Sequence, residues 1–467
     1  MSESALTISN YFSDLDVSLK SSSEASKGDF RLDSGYYTNS ESIIHSVETK
    51  PLSAFCRGVF MGPIFKRDEV ENEKYGIRFL ASNEIVSYEK SDNYITKEQA
   101  IKFDLIVKKG MILVTGYGTI GSLRIVDNII DGLAIADNVT RIIPKENLGY
   151  IACFLSSSIG NKLLNDYAAG SAVRFIQAPQ IAKIPVPVID ESIIESINHL
   201  FLEAVTCREH SHELLESAHK LVLQYNNLPP LSNITPETIA TDGEVEIRMT
   251  GLDEFTQDYR LDAHFYNPIA KLIVENITKH CPKNDKLFNV ADCSFRGSRS
   301  TRNYVDKDNG IAFLSGKNII QIRPDFKYIS KSETANLDDM LLSEGQILIS
   351  RTGTLGRTVL IYKNYEGCAA SEHLIRVKPD AKIIDSGYLY AFLSSDYGYH
   401  QLLRYKHGAV IDVITEDQIS QSVIPLPSDK QQKEIGDLVR KAYELRAKAI
   451  KLEDEAQELL TQALTQA

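Results

Sequence analysis

Short apolar runs, glycine turns and long spaced seams follow one another along this chain, and the sequence of events happens twice. Ile112-Leu113-Val114 and Leu123-Arg124-Ile125-Val126 read as strands flanking a glycine turn, and Ile347-Leu348-Ile349 with Val359-Leu360-Ile361 match them. Gly149 to Tyr167 and Gly387 to Tyr405 then place apolar residues at helical spacing, with serines in mid-segment. Each unit leaves through a proline-marked exit, Ile184-Pro185-Val186-Pro187 and Ile424-Pro425-Leu426-Pro427. Proline fixes φ and lacks an amide donor, so these exits are expected to be extended and to end the globular part.

A long amphipathic seam follows each exit. The first runs Ile194, Ile197, Phe201, Ala204, Arg208, Ser211, Leu215, Ala218, Val222. The second runs Ile435, Leu438, Ala442, Leu445, Ala449, Leu452, Ala456, Leu459, Ala463. Alternating steps of three and four are the signature of a coiled coil. Each seam supplies the surface that the other must bury, so mutual pairing is expected in preference to packing on separate domains. Arg208 and Ser211 interrupt the first seam, and polar residues at such positions set register. Leu228-Pro229-Pro230 ends the first helix, and the polar stretch from Leu231 to Glu244 reads as a linker. At 1.5 Å per residue, a helix of about 40 residues is a rod roughly 60 Å long.

The repetition extends to short motifs kept in order at an interval of about 235 residues, far beyond the roughly 20–50 residues of a solenoid period. Arg31-Leu32-Asp33 with Tyr36-Tyr37 returns as Arg260-Leu261-Asp262 with Phe265-Tyr266. Gly118-Thr119-Ile120-Gly121 returns as Gly353-Thr354-Leu355-Gly356, and Phe154-Leu155-Ser156-Ser157 as Phe392-Leu393-Ser394-Ser395. The repeating object is a whole globular unit, and two copies of one unit suit a target that itself has two parts.

Composition changes this picture only at the edges. A chain of 467 residues is too long for one core. Its 43 % apolar and 24 % charged content is that of ordinary soluble protein. No apolar run approaches the roughly 18 residues of a membrane span, and no secretory signal is visible, which makes the cytoplasm the expected address. The six cysteines are scattered without zinc-ligand spacing and read as buried, reduced thiols. A net charge of −12 argues against coating nucleic acid by bulk attraction, while leaving room for local basic loops.

Candidate chemistry is of the binding kind. Gly116-Tyr117-Gly118-Thr119-Ile120-Gly121 matches the dinucleotide fingerprint, but it leads into a strand where that site needs a helix N-terminus. In the second copy Arg351 replaces the first glycine, so a tight turn between strands is the better account. No Walker A lysine motif is present, no methyltransferase Asn/Asp-Pro-Pro-aromatic loop, and no duplicated nuclease set. The loop from Cys293 to Tyr304 carries Arg296, Arg299 and Arg302 at spacing three, followed by Asn303. Arginine forks read guanine edges and hydroxyls or amides bind phosphate; a solvated basic surface is the competing account. In the first copy Arg57-Gly58 aligns with Arg296-Gly297, with Lys66 and Arg67 further on. The glycine loops Gly170 to Arg174 and Lys406 to Val410 are candidates for close approach to a phosphate backbone. Gly118, Thr119 and Thr354 at the turns, and Arg351 and Arg357 beside the second turn, complete the candidate DNA-binding set.

These duplicated motifs, in this order and each followed by a long helix, resemble the DNA-specificity (S) subunit of type I restriction–modification systems over almost the full length. The resemblance implies an α+β chain of two similar mixed α/β target-recognition domains, separated by two long helices that form an antiparallel coiled coil. It divides the chain into an N-terminal segment (1–28), a first target-recognition domain (29–189), a central helix (190–228), a linker into the second repeat (229–256), a second target-recognition domain (257–427) and a C-terminal helix (428–467). Ile194, Ile197, Phe201, Leu215 and Val222 would meet Ile435, Leu438, Leu445, Leu452 and Leu459 in the coiled coil. It further implies a non-catalytic reader of bipartite double-stranded DNA, docked by two DNA methyltransferase subunits and in some forms by an ATP-dependent restriction subunit. S-adenosylmethionine would be bound by those methyltransferases, with no cofactor on this chain and no contact with a membrane. The first glycine loop lacks the polar Thr-Gln pair of the family, and Ala409 replaces its usual serine in the second. Two alternatives stay open: a specificity factor of another methylation-based phage-defence system, and a nucleotide-binding enzyme using the glycine turns.

Overall fold

The computed structural model describes residues 47–70, 73–88, 93–170, 173–234, 240–242, 245–247, 251, 260, 262–294, 302–335 and 337–466. The chain is α+β and divides into two compact units, Met1–Glu209 with Ala449–Ala467, and His210–Lys448. Arg296 and Arg299, and the first copy of the Arg-Leu-Asp motif, lie outside the described residues.

The first unit is built on a four-stranded antiparallel sheet of Cys56–Phe60 (β2), Val139–Pro144 (β9), Ile112–Thr115 (β6) and Leu123–Ile125 (β7), in that order. A smaller sheet orders Glu69–Val70 (β3), Tyr94–Thr96 (β5), Gly76–Leu80 (β4) and Ala134–Ile135 (β8). Thr49–Pro51 (β1) pairs with the proline exit Pro185–Pro187 (β10). Strand β6 is apolar at successive positions because both of its faces are covered. Ile112 and Val114 join the core beneath the helices, while Leu113 joins the core of the smaller sheet.

The second unit repeats this order strand for strand. Ala291–Ser294 (β14), Leu374–Pro379 (β21), Ile347–Ser350 (β18) and Thr358–Leu360 (β19) form its main sheet. Tyr304–Val305 (β15), Lys327–Ser330 (β17), Gly310–Leu314 (β16) and Ala369–Ala370 (β20) form the smaller one. Asn284–Lys286 (β13) pairs with the exit Val423–Pro425 (β22). The region read as a polar linker contains a further ladder, Ala240–Asp242 (β11) with Val245–Ile247 (β12).

Where the sequence suggested one helical stretch per unit there are two helices. Leu148–Ser156 (α1) breaks at Ser157, whose hydroxyl caps Gly160 N at 3.1 Å to start Ser158–Asp166 (α2). Pro268–His280 (α3) opens the second unit, and Ser386–Ser394 (α4) breaks at Ser395 before Asp396–Arg404 (α5). The Phe-Leu-Ser-Ser motif is thus a helix end followed by an N-cap, and Ser and Thr are suited to that place because their oxygen accepts an orphan amide. Gly160 and Gly398 allow the sharp break: a Cβ would stand 1.9 Å from Phe154 O and 2.3 Å from Phe392 O respectively. The Gly-Tyr motif that precedes has its own cause. Tyr150 Oη donates to Pro187 O at 2.7 Å, and Tyr388 Oη to Pro425 O at 2.8 Å, so each buried tyrosine clasps its unit's proline exit.

The two long helices are Glu191–Tyr225 and Asp429–Gln466. All nine positions of the first seam are buried. In the first unit Ile194, Ile197 and Phe201 share a core with Ala456, Leu460 and Leu464. In the second unit Leu215, Ala218 and Val222 share one with Ile435, Val439, Ala442 and Tyr443. Within each unit the two helices lie side by side and run in opposite directions. Arg208 meets Glu453 in the first unit, and Tyr225 meets Glu434 in the second. Along the C-terminal helix, Ile435, Ala442, Leu452 and Ala456 are buried as the spacing predicts, but Leu438, Leu445 and Leu459 are only half-buried. Beside Leu438 and Leu459 the deeper position lies one residue further on, at Val439 and Leu460, and Glu453 is buried next to Leu452.

All six cysteines are free thiols, and five of them are buried. Burial pushes the Cys56, Cys281 and Cys368 thiols up to about 11. None of the described helices is long and apolar enough to cross a membrane.

Candidate nucleic-acid interface

The two glycine turns join antiparallel strands, β6 to β7 and β18 to β19. A dinucleotide site would need a helix there, so this geometry removes the ground for the nucleotide-binding alternative. Gly118 and Gly353 have φ of +71° and +72°, and Gly121 and Gly356 of +84° and +73°, conformations that favour glycine. A strand-end hydroxyl holds each turn shut. Thr115 Oγ1 donates to Thr119 O at 2.5 Å and accepts from Ser122 N at 3.0 Å. Ser350 Oγ donates to Thr354 O and accepts from Arg357 N at 3.0 Å. The tips Gly118, Thr119, Gly353 and Thr354 are exposed.

Beside each turn stands the glycine loop that sequence reading treated separately. Ala169 and Phe175 close the first such loop through mutual backbone bonds of 2.7 and 2.8 Å, and His407 and Val413 close the second at 3.0 and 2.7 Å. Single bridges, Tyr117 to Phe175 and Thr352 to Val413, tie loop to turn. A third segment joins them, because Gly116 N donates to Asn138 O at 3.1 Å and Arg351 N to His373 O at 3.0 Å. Three chain segments far apart in sequence therefore converge at the same place in each unit. Their tips expose Val173 in the first, and Val410 and Ile411 in the second.

The candidate arginines occupy distinct environments. Arg67 lies with Cζ 4.6 Å from the Phe79 ring centroid, and Arg302 lies 4.7 Å from that of Phe313. Phe79 on β4 and Phe313 on β16 hold corresponding positions, since Phe79 pairs with Ala134 and Phe313 with Ala369. Arg67 and Arg302 are thus the matched pair. The alignment of Arg57 with Arg296 does not hold: Phe60 faces Arg141 as Ser294 faces Arg376, so Arg57 precedes and Arg296 follows the matched position. A bulge between Cys56 and Gly58 shifts this register.

Arg57, Lys66, Arg67, Arg174 and Asn303 are exposed. Arg174 donates to Asn165 O, and Asn303 Nδ2 to Glu333 Oε2 at 2.6 Å. Arg357 stacks over Tyr399 at 4.5 Å. Lys406 pairs with Asp412 at 3.1 Å inside the second glycine loop. Arg302 is bound through Nη2 to Glu372 Oε2. Burial raises the carboxyl pKa of Glu372, but its own backbone amide and Arg302 outweigh that and hold it below the ordinary value. The Arg-Leu-Asp motif of the second copy is a structural clasp. Arg260 donates to the carbonyls of Tyr405 at 3.2 Å and Lys406 at 2.9 Å, and lies 4.7 Å over Phe265.

Sequence reading missed Phe79, Phe313, Glu372 and His373. The signal was available in the duplicated strand Gly76-Ile77-Arg78-Phe79-Leu80 and Gly310-Ile311-Ala312-Phe313-Leu314, each a short distance after its arginine. Among the described residues no group of three or more His, Cys, Asp or Glu could hold a metal ion.

Residues 283–455 match the family model for the type I restriction modification DNA specificity domain. The resemblance read from the duplicated motifs is thereby borne out over the greater part of the second unit. Residues Met1–Glu209 of the first unit lie outside the match. No curated protein sequence matches the chain. Among solved structures, the S subunit of a type I restriction-modification system from M. genitalium is 12 % identical, with 89 % of this chain and 94 % of that one covered at a TM-score of 0.33. The HsdS subunit from Thermoanaerobacter tengcongensis is 14 % identical, with 89 % and 96 % covered at a TM-score of 0.28.

Proposed function

We propose that this chain is the DNA-reading subunit of a restriction–modification complex, each unit reading one half of a bipartite duplex target. The observation that carries the reading is the duplicated face: a glycine-threonine turn, a glycine loop and an arginine laid on a phenylalanine, in the same arrangement in both units. Two half-site contacts joined by paired helices bind as one through effective concentration, and reject half-sites at the wrong spacing. The chain supplies no chemistry of its own. Two methyltransferase subunits, which bind S-adenosylmethionine, dock on it and modify the target in the cytoplasm, and an ATP-dependent restriction subunit joins the cleaving form. The acidity of the chain fits such an assembly, because the partners' basic surfaces can supply much of the phosphate attraction.

The test is sequencing of methylated DNA from a host carrying this chain and its methyltransferase. The expected result is a two-part methylated motif, with Arg67→Ala altering base preference in one half and Arg302→Ala in the other. Methylation or cleavage of duplex DNA by the isolated chain would overturn the reading.

A further inference from the structure

We propose that Glu372 is a positioning residue for base recognition: it fixes the Arg302 guanidinium so that its unengaged edge reads a guanine in the half-site of the second unit. This deepens the reading above and rests on it. Arg302 is held on two sides, by the Phe313 ring beneath it and by the Glu372 carboxylate at Nη2. Among the described residues Nη2 alone of its nitrogens is engaged, and it keeps a second proton. Both two-pronged edges of a guanidinium, Nε with Nη2 and Nη1 with Nη2, include that nitrogen, so the edge turned away from Glu372 stays available as a planar two-pronged donor. That fork matches the O6 and N7 acceptors of guanine in the major groove.

Glu372 is itself fixed. Ser371 Oγ stands 3.5 Å from Oε2, His373 Nε2 stands 3.5 Å from Oε1, and His373 Nδ1 lies 3.1 Å from Thr352 Oγ1. The chain of contacts runs from Arg302 to the glycine-threonine turn, so the arginine is aimed relative to the same three-segment face that meets the DNA. Its side chain is 24 % exposed and that of Glu372 13 %, so the pair is sheltered without being sealed.

The charge balance favours a base over a phosphate. A carboxylate bonded to the guanidinium cancels much of its attraction for a phosphate and would repel that anion at close range, whereas a neutral base edge is indifferent to it. The first unit provides the contrast. Arg67 stacks on Phe79 in the matched position, but Asp137 and Asn138 stand where Glu372 and His373 stand, and among the described residues Arg67 makes no ion pair. The same platform is thus locked in one unit and unlocked in the other.

The experiment uses the chain assembled with its methyltransferase and a duplex library randomised over the target, comparing wild type, Arg302→Ala, Glu372→Ala, Glu372→Gln and the double variant Arg302→Ala/Glu372→Ala. Arg302→Ala should lower discrimination at one guanine-containing base pair about 5- to 100-fold. Glu372→Ala and Glu372→Gln should relax the same base pair, leave the other half-site untouched, and add nothing in the Arg302→Ala background. Salt dependence of binding should stay that of wild type, since no phosphate contact is lost. Four results would overturn the proposal: Glu372 substitution leaving the preference intact, its effect persisting without Arg302, loss spread over both half-sites, or a reduced salt slope with base preference intact. If the wild-type complex itself shows no sequence preference, the failure belongs to the parent reading. Melting curves identify a variant that is merely unfolded, and Glu372→Gln, which keeps the side-chain volume, then stands in for Glu372→Ala.

Discussion

Arg208 and Glu453 face each other through two parallel hydrogen bonds, Nη1 to Oε1 at 2.5 Å and Nη2 to Oε2 at 2.8 Å, with both side chains buried between the long helices of the first unit. Burial alone would lower the pKa of Arg208; the adjacent carboxylate outweighs it and keeps the guanidinium charged. Bidentate geometry makes this pair directional in a way that apolar seam residues are not. Removing one partner strands the other charge, so Arg208→Ala or Glu453→Ala is expected to cost about 3–5 kcal/mol. Replacing both by leucine is expected to be neutral or stabilising. Denaturant unfolding of the four chains checks this, and a cost for the double variant as large as for either single one would contradict it.

The tyrosine clasps make a second prediction. Tyr150→Phe and Tyr388→Phe leave the buried carbonyls of Pro187 and Pro425 without their donors, at about 1–3 kcal/mol each. Amide hydrogen exchange should show the loosening first in the ladders β1–β10 and β13–β22, with the main sheets retaining their protection.

Glycines in the two units should separate into two classes. Gly118 and Gly353 have positive φ and open space around a would-be Cβ, so alanine there costs only backbone strain, about 1–2 kcal/mol, and the fold survives. Gly160 and Gly398 press on helix carbonyls, and alanine there must push α1 from α2 or α4 from α5. Thermal melts should rank both of these well below Gly118→Ala and Gly353→Ala.

The Arg302–Glu372 pair predicts a pH dependence with a definite sign. Glu372 is held below its ordinary value of 4.5 in the folded chain, so the folded state binds its proton less readily than the unfolded state. Its contribution to stability is complete above about pH 4.5 and is lost as pH falls through the lower folded value. Unfolding midpoints of wild type and Glu372→Gln should differ most above that pH and converge in acid.

How much of this was legible from the chain differs from element to element. The central helix showed its seam in full, because apolar residues mark seven of nine positions and the polar pair falls between them. The C-terminal helix misled in places: Leu438 and Leu459 outbid Val439 and Leu460, which lie deeper, and Leu445 is only half-buried. Glu453 is buried because Arg208 meets it, and Arg446 is likewise drawn toward Ser211, at 3.2 Å. A one-dimensional pattern assigns such charges to solvent; the partner helix reverses the assignment. The candidate interface was legible as separate loops, since glycine and arginine announce themselves. Their convergence was not, because single bridges such as Thr352 to Val413 join segments with no shared local pattern. Glu372 looked like any acidic surface residue until the strand β20 placed it against Arg302.

Each compact unit takes its share of both long helices, and the first is finished by residues 449–467. A ribosome therefore releases the whole of the second unit before the first receives Ala456, Leu460 and Leu464. The first unit must wait, with part of its apolar surface uncovered, for a stretch made after the second to return to it, and cutting the gene between the two would leave that unit without its own lid.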